Sequence, residues 1–296
     1  MNLRQYAYFV QTVHSGSLSA AALVLGCTQS AVSQTIAALE QELGVRMLRR
    51  SRGGAQLTEE GRLLLPEIEA LLDRQRRIQE VCASLRGGER GTVVVASFSS
   101  VAVHWLPEIF KAFGEAHPGV ELRLNTGDYH DVAQWLRSGS AHIGFVTPGI
   151  IPELPFTPLY RDPLLAVLPQ GHPLARAKEF PVEQVAKESF LGLLASSDQD
   201  AGDYLRAAGI ESNIRLSTKD DYAILAMIRS GLGMSIMQGL LLRGETEGLA
   251  LVPLKPRAWR TIGLAVTPEG AGNPAVRAFA DFTGAWVREN WRDGAI

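Results

Sequence analysis

Residues 17–50 read SLSAAALVLGCTQSAVSQTIAALEQELGVRMLRR, and this stretch decides the fold of the first part of the chain. Its apolar residues recur at three- and four-residue intervals, which predicts a short helix before Gly26 and a longer helix over 29–43. Thr28 is suited to cap the longer helix at its N-terminus, and Gly44 to stop it. A similar pattern upstream predicts a first helix, so we expect a three-helix head.

Two helices joined by a tight, glycine-containing turn are typical of a helix-turn-helix. The longer helix is predicted to present one face of amides and hydroxyls. A Gln side chain can bridge N6 and N7 of adenine, and Ser can meet several base edges, so this face suits the major groove of DNA. The alternative is a solvated surface helix without a partner. The residues on this face are Gln29, Ser30, Ser33, Gln34 and Thr35.

The charge distribution favours a nucleic-acid partner more than the total charge does. The 296 residues carry 29 basic and 31 acidic side chains, a net charge of −2, which by itself argues against such a partner. Residues 1–90, however, contain 11 arginines, no lysine and 9 acids. Apolar residues on both sides of 49–54 predict a small two-stranded wing with an arginine tip, which would contact phosphates. The alternative is a solvated arginine-rich loop. The clustered arginines are Arg46, Arg49, Arg50 and Arg52.

Residues 17–50, together with the sequence LTEEG at 57–61, resemble the winged helix-turn-helix of LysR-type transcriptional regulators. The shared features are the alanine run, TQSAVS, IxxLExxLG and LTxxG; one departure is Met47-Leu48, where the family usually has Leu-Phe. The resemblance implies a sequence-specific regulator that binds double-stranded DNA at a promoter inverted repeat. The predicted DNA-binding residues are Thr28, Gln29, Ser30, Ser33, Gln34, Arg50 and Arg52. Of these, Arg50 and Arg52 are expected to contact the DNA backbone.

A single long helix is predicted from Thr58, a good N-cap, to about Leu85. Seven of its positions are spaced four and three residues apart, a heptad seam that needs a partner helix, and in the LysR family this linker pairs two heads. The alternative is an amphipathic helix packed on its own domain. The predicted dimerisation residues are Leu64, Ile68, Leu71, Gln75, Ile78, Cys82 and Leu85.

Beyond the linker, short β-rich runs alternate with helical patterns, which predicts a parallel sheet with helices on its faces. This order, with the motifs LYRD at 159–162 and IRSGLGM at 228–234, also resembles the LysR effector-binding domain, which consists of two α/β subdomains of the periplasmic-binding-protein type. The predicted domains are a winged helix-turn-helix over 1–58, a linker helix over 59–90, and an effector-binding domain over 91–296. Its subdomain I comprises 91–162 and 267–296, and its subdomain II 163–266.

Ligands of open α/β sheets bind beyond the carboxyl ends of strands, where helix N-termini expose amides. Ser99 and Ser100 follow the first strand of this domain, and Thr147 follows another. We therefore expect a small-molecule effector, a carboxylate or another anion, and no cofactor or metal. Thr126, Ser196 and Gln238 follow further strands, with capping or turn roles as the alternative for each.

Other classes of protein are disfavoured. The longest unbroken apolar run has seven residues, over 222–228, whereas a membrane span needs about 20. An enzyme is disfavoured because DYHD at 128–131 is the only tight cluster of titratable residues, and Ser99 with His104 lacks the GxSxG context. A transport-type binder is disfavoured because it would need an export signal, and we recognise none in the sequence. A thiol-based redox regulator is disfavoured because both cysteines precede the sensor domain. We expect a cytoplasmic, nucleoid-associated homodimer or homotetramer that contacts RNA polymerase.

Overall fold

The computed structural model describes residues 2–51, 54–85, 91–194 and 199–294. The chain divides into two compact units, one over 1–87 and the other over 88–137 and 141–296. Within the described residues, no single helix is long and apolar enough to cross a membrane. The helix pair Leu18–Val24 and Gln29–Leu43 passes that test only jointly, and it is bent by 107°.

The first unit contains the predicted head and the long helix. Asn2 caps the first helix and forms a capping box with Gln5. The hydroxyls of Ser17 and Thr28 cap the next two helices, where they accept hydrogen bonds from the backbone N–H groups of Ala20 and Ala31. The elements are α1 (Leu3–Ser15), α2 (Leu18–Val24), α3 (Gln29–Leu43), β1 (Leu48–Ser51), β2 (Gly54–Leu57) and α4 (Glu59–Leu85).

Three residues of the quoted motifs fasten α3, the wing and α4 to one another. Glu40 Oε1 accepts the backbone N–H groups of Met47 and Leu48 at 2.7 and 2.9 Å. Thr58 Oγ1 donates to the carbonyl of Arg46 at 2.7 Å and accepts the N–H of Gly61 at 2.9 Å. A Cβ at position 61 would lie 2.1 Å from the carbonyl oxygen of Met47, so only glycine fits there.

The wing begins later than the sequence pattern suggests. Residues 45–47 are not part of a strand, because Met47 is fully buried in the head and its N–H is bound by Glu40. Consequently Arg49 and Arg50 lie within β1, and not at the tip. Arg52, the other predicted backbone contact, lies outside the described residues.

The predicted seam of α4 is divided between two environments. Ile68 is buried in the core of the head, so this side chain contacts its own chain and not a partner helix; the half-buried Leu64 packs against the same core. This differs from the prediction, because heptad spacing does not distinguish a partner helix from the head of the same chain. Further along, Leu71 and Ile78 are 43% and 66% exposed. Gln75 is half-buried and Cys82 is exposed, whereas the side chain of Leu85 is not among those that the structure describes.

We predict that Glu40→Ala destabilises the head by about 1–3 kcal/mol, because two backbone N–H groups lose their acceptor. Chemical denaturation of the full chain, followed by far-UV circular dichroism, would measure this change. Glu67→Ala, which removes an exposed glutamate from α4, is the control. Equal stability of the two variants would contradict the role of Glu40.

The second unit is a mixed α/β domain. Its strands are β3 (Gly91–Ser97), β4 (Val120–Thr126), β5 (Ile143–Val146), β6 (Phe156–Pro169), β7 (Phe180–Pro181), β8 (Phe190–Leu193), β9 (Ile214–Thr218), β10 (Ser235–Gln238) and β11 (Leu249–Val266). Its helices are α5 (Ser99–His104), α6 (Leu106–Ala116), α7 (Tyr129–Ser138), α8 (Asp200–Ala207), α9 (Asp221–Arg229), α10 (Pro268–Ala271) and α11 (Pro274–Asn290), with 3-10 helices at Val182–Lys187 and Arg292–Gly294.

The sheet is mixed and not wholly parallel as predicted. Parallel pairing joins β4, β3 and β5, and separately β8 and β9. The long strands β6 and β11 pair antiparallel with each other, with β10 and β5 on their outer sides. Prolines within both strands obscure their length in the sequence; a bulge between Pro253 and Ala258 accommodates part of this irregularity.

These two long strands carry side chains into two separate cores. On β6, Leu159 lies in one core and Leu164 in the other. On β11, Leu254 belongs to the second core and Ile262 to the first. The chain therefore returns to the first core before Val266, where the sequence analysis ended subdomain II. The strands β6 and β11 therefore connect the two cores side by side.

Candidate functional site

The helix α3 presents the predicted polar face. Thr28, Gln29, Ser30 and Gln34 are exposed, and Ser33 is half-buried. The Thr28 hydroxyl is engaged in capping, since it accepts the N–H of Ala31 at 3.2 Å. The amides of Gln29 and Gln34 are thus the long polar side chains that this surface offers to a base edge.

Cationic side chains accompany this face. Arg46 and Arg49, which come just before and within β1, are both exposed. They are close in sequence to Arg50, whose backbone belongs to the same strand. The wing thus supplies guanidinium groups suited to phosphate oxygens.

The second unit contains a pocket beyond the ends of its strands. The last residues of β3 and β4, Ser97 and Thr126, are paired in register, and Gln238 ends β10. The cavity has a volume of about 260 Å³. It is lined by Phe98, Ser99, Ser100, Gly127, Asp128, Tyr129, Asp131, Lys219, Asp221, Gln238, Leu241 and Arg260.

A buried arginine forms the floor of this pocket. Arg260 on β11 lies directly opposite Asp162 on β6, and its Nε and Nη2 are 2.9 and 2.8 Å from Asp162 Oδ2. Nη2 also donates to Ser100 Oγ at 2.7 Å, and Nη1 to the hydroxyl of Tyr129 at 2.8 Å. The guanidinium stacks over the Phe98 ring, with Cζ 4.8 Å from the centroid. Most of its donors are therefore already engaged.

Electrostatics keep this arginine charged. Burial alone would lower the pKa of Arg260, but Tyr129, Asp162 and Asp200 raise it above its ordinary value. Burial raises the pKa of Asp162, and Arg260 and the Leu240 N–H oppose that rise. Because this N–H donates to Asp162 Oδ1 at 2.7 Å and Arg260 occupies Oδ2, the carboxylate form is the one these donors stabilise.

The hydroxyl of Tyr129 links this network to Asp200, the first residue of α8. It donates to Asp200 Oδ2 at 2.7 Å, and the amide of Gln238 donates to the same oxygen at 3.1 Å. Arg260 Nη1 is 3.9 Å from that oxygen. Residues from α7, α8, β10 and β11 thus meet at one carboxylate.

The DYHD cluster has a structural role. Asp128 Oδ1 accepts the N–H of Asp131, and Asp131 Oδ2 accepts the N–H of Asp128, at 2.9 and 3.0 Å, so the two acids cap α7 reciprocally. His130 between them is exposed. Asp128 also pairs with Lys219 at 3.6 Å.

The structure brings together three of the predicted effector residues, Ser99, Ser100 and Gln238, at the pocket. Thr126 precedes the lining residue Gly127 without belonging to the lining, and Thr147 is buried and does not belong to the lining either. Ser196 lies outside the described residues. Ser100 accepts a hydrogen bond from Arg260, so its Oγ is fixed in position while its O–H remains a donor.

Sequence reasoning missed the charged residues of the pocket. Arg260 and Asp162 are 98 positions apart, and only the strand register places them opposite each other. One signal was present in the sequence, because Asp162 and Arg260 each precede the apolar part of a β-rich run, and a charge buried there needs a specific partner. The other missed residues are Asp200, Lys219 and Asp221, and Tyr129 was named only as part of the DYHD cluster.

A helix-turn-helix with an exposed polar helix, joined to an α/β unit with a polar pocket, defines a ligand-responsive DNA-binding regulator. Residues 3–62 match the family described as bacterial regulatory helix-turn-helix protein, lysR family, and residues 86–288 match the LysR substrate binding domain. The chain belongs to the LysR family of transcriptional regulators, and the predicted family and fold class are confirmed.

Individual relatives agree with this assignment. The chain is 32% identical over 283 residues to LrrA of Synechococcus elongatus, a probable HTH-type transcriptional regulator, covering 95% of this chain and 96% of that protein. Its fold is similar to full-length CbnR complexed with its target DNA, with a TM-score of 0.69, 23% identity, and coverage of 97% and 100%. It is also similar to the effector binding domain of QuiR in complex with shikimate, with a TM-score of 0.62, 20% identity, and coverage of 68% and 99%.

We predict that Asp162→Asn lowers the stability of the α/β unit by about 3–5 kcal/mol, because it leaves the buried Arg260 without its counter-ion. Differential scanning calorimetry of the full chain would resolve the affected transition. Glu121→Gln, which breaks the exposed Arg123–Glu121 pair, should leave that transition unchanged. An unaltered transition in Asp162→Asn would contradict the central role of this pair.

We predict the opposite sign for Asp221→Asn. The pKa of Asp221 is raised to about 6, mainly by burial. Arg260 opposes this rise, and Asp220 adds to it. The folded state therefore holds this proton more tightly than the unfolded chain, so ionisation costs stability above pH 6 and the cost disappears as the pH falls towards 4. The variant should be more stable than the parent by about 1–2 kcal/mol at pH 7.5 and equal to it near pH 4.

Thermal denaturation at several pH values would measure the effect of Asp221→Asn. Asp281→Asn, at an exposed site on α11, is the control and should show no such pH dependence. Destabilisation of Asp221→Asn at every pH would show that this carboxylate supports the fold.

Proposed function

We propose that this LysR-family regulator reads an inverted repeat as a dimer and responds to a small molecule in the Arg260 pocket. The observation that carries the effector role is the pocket itself, a polar cavity of about 260 Å³ beyond the ends of β3, β4 and β10. A ligand there shifts the regulator between states only if it binds one state better than the other. An anionic effector, as expected from the sequence, is one of the ligand classes that this proposal includes.

The exposed face of α3 supports the assignment of base contacts to Gln29, Ser30, Ser33 and Gln34, with Thr28 near the helix N-terminus. Arg50 and Arg52 are assigned to the DNA backbone. Residues 1–90 have a net charge of only +2, so one head alone would bind weakly. Linking two heads raises the effective concentration of the second at its half-site, which favours a dimer.

The exposed apolar side chains of α4 support pairing through that helix. Leu71 and Ile78 are seven residues apart on the same helical face, and Cys82 follows four residues later. Side chains at that spacing match the seam of a coiled coil. Assembly of two dimers into a tetramer and a contact with RNA polymerase complete the proposal, both by analogy with the family.

We propose no catalytic activity for this chain. Among the titratable groups that the sequence singled out, Asp128 and Asp131 cap a helix, and His130 is exposed. The regulator would act on the chromosome in the cytoplasm. Turnover of a metabolite by the purified protein would contradict this part of the proposal.

We predict that the double variant Gln29→Ala, Gln34→Ala loses sequence-specific DNA binding. Each lost base contact costs about 1–3 kcal/mol, and a dimer loses each of the two contacts twice, so Kd should rise by at least about 500-fold. The measurement is fluorescence anisotropy on a fragment selected by the parent protein from a genomic library.

Gln41→Ala is the matched control, because it removes an exposed glutamine from the last turns of the same helix. It should bind like the parent, and both proteins should keep the same weak affinity for random DNA at low salt. Equal binding by the double variant and this control would overturn the assignment of α3 as the base-reading helix.

A further inference from the structure

The charge of the Arg260 pocket points to the class of its ligand. The positive charge of the floor is already matched within the protein. Arg260 has five N–H donors; Asp162, Ser100 and Tyr129 accept from it, and Asp200 lies 3.9 Å away. A ligand carboxylate would therefore have to compete with groups that are in place, buried and well oriented.

Carboxylates exceed cations around the cavity. Among the described residues, the lining has three acids and two cations, Lys219 and Arg260, and Arg260 is itself paired with two further acids. Lys219 pairs with Asp128. The five carboxylates of the lining and of the Arg260 network are Asp128, Asp131, Asp162, Asp200 and Asp221.

Asp221 is the carboxylate that lacks a partner. It makes no hydrogen bond or ion pair with any residue in the described parts of the chain, whereas Asp128 and Asp131 cap α7 and Asp162 and Asp200 belong to the arginine network. It lines the cavity from the first turn of α9 and is only partly exposed. Arg260 attracts its ionised form from a distance, but no described residue pairs with it directly, so a cation in the cavity would stabilise this partly buried carboxylate.

The described residues form no cluster of the kind that holds a metal ion. Within 2–51, 54–85, 91–194 and 199–294, no three His, Cys, Asp or Glu side chains are arranged to hold a metal. The walls also include the apolar side chains of Phe98 and Leu241, which suit a short carbon chain. A small organic molecule with a nitrogen cation would match both the negative charge of the cavity and its apolar wall.

We infer that the effector of this pocket is a small organic cation whose ammonium or guanidinium group pairs with Asp221, an inference that rests on the proposed effector role of the pocket. Additional hydroxyl or amide groups on this molecule would meet Ser99 and Gln238. A simple carboxylate is disfavoured at the same site. Burial raises the pKa of Asp221, and a cation bound beside the carboxylate would lower it again.

The test uses thermal denaturation of the full-length protein with size-matched compounds. The amines are n-butylamine, putrescine and agmatine, and the carboxylates are butyrate, succinate and glutarate. We expect at least one amine and none of the carboxylates to raise Tm, because a ligand that binds only the folded state stabilises it by mass action. A rise in Tm with carboxylates alone would overturn the inference.

Two variants connect this effect to the proposed partner. Asp221→Asn should weaken the amine's Kd by at least about tenfold, and Asp281→Asn should leave it unchanged. Asp221→Asn is expected to be more stable than the parent at neutral pH, so a lost response would not reflect unfolding. An amine response that is unchanged in Asp221→Asn would overturn the inference.

A second measurement separates the charge of the ligand from the existence of an effector. Small metabolites extracted from the source bacterium are divided into fractions retained by a cation exchanger, retained by an anion exchanger, or retained by neither. A Tm shift with the cationic fraction, lost in Asp221→Asn, supports the inference. A shift only with the anionic or neutral fraction overturns it but keeps the proposed effector role, and no shift with any fraction overturns both.

Discussion

The α/β unit depends on one buried ion pair between two long antiparallel strands. Asp162 on β6 and Arg260 on β11 lie opposite each other in register, and both are almost completely excluded from solvent. Through further hydrogen bonds the pair also holds Ser100, Tyr129 and the chain after β10. A buried pair of this kind costs desolvation energy, so its value lies in fixing a unique arrangement of the elements that it joins.

The same ion pair shapes the chemistry of the pocket above it. Because Asp162 and Ser100 already accept hydrogen bonds from the Arg260 guanidinium, this group contributes more to the fold than to ligand affinity. The excess charge that faces the cavity is then negative, and it is concentrated at Asp221. A positively charged residue in a pocket is thus a poor guide to ligand charge until its own partners have been counted.

Local signals in the sequence were sufficient for the head. The bounds of α3 follow from its cap, its apolar period and its terminal glycine, and all of these are contained in a few turns of chain. The position of Ser99, Ser100 and Gln238 at the pocket could be predicted because pockets of open α/β sheets lie beyond strand ends. Arg260 and Asp162 could not, because their contact depends on register between distant strands. The division of the α4 seam was also hidden, since Ile68 and Leu71 have the same spacing but different neighbours.

The three fastening contacts of the head have a consequence for regulation. Glu40, Thr58 and Gly61 leave little freedom between α3, the wing and the start of α4, so each head is a rigid reading unit. A rigid unit recognises a fixed set of bases and phosphates whatever the state of the rest of the protein. In the proposed dimer the half-site sequence would therefore stay constant, and an effector would act on the spacing of half-sites and the DNA bend that two heads tolerate.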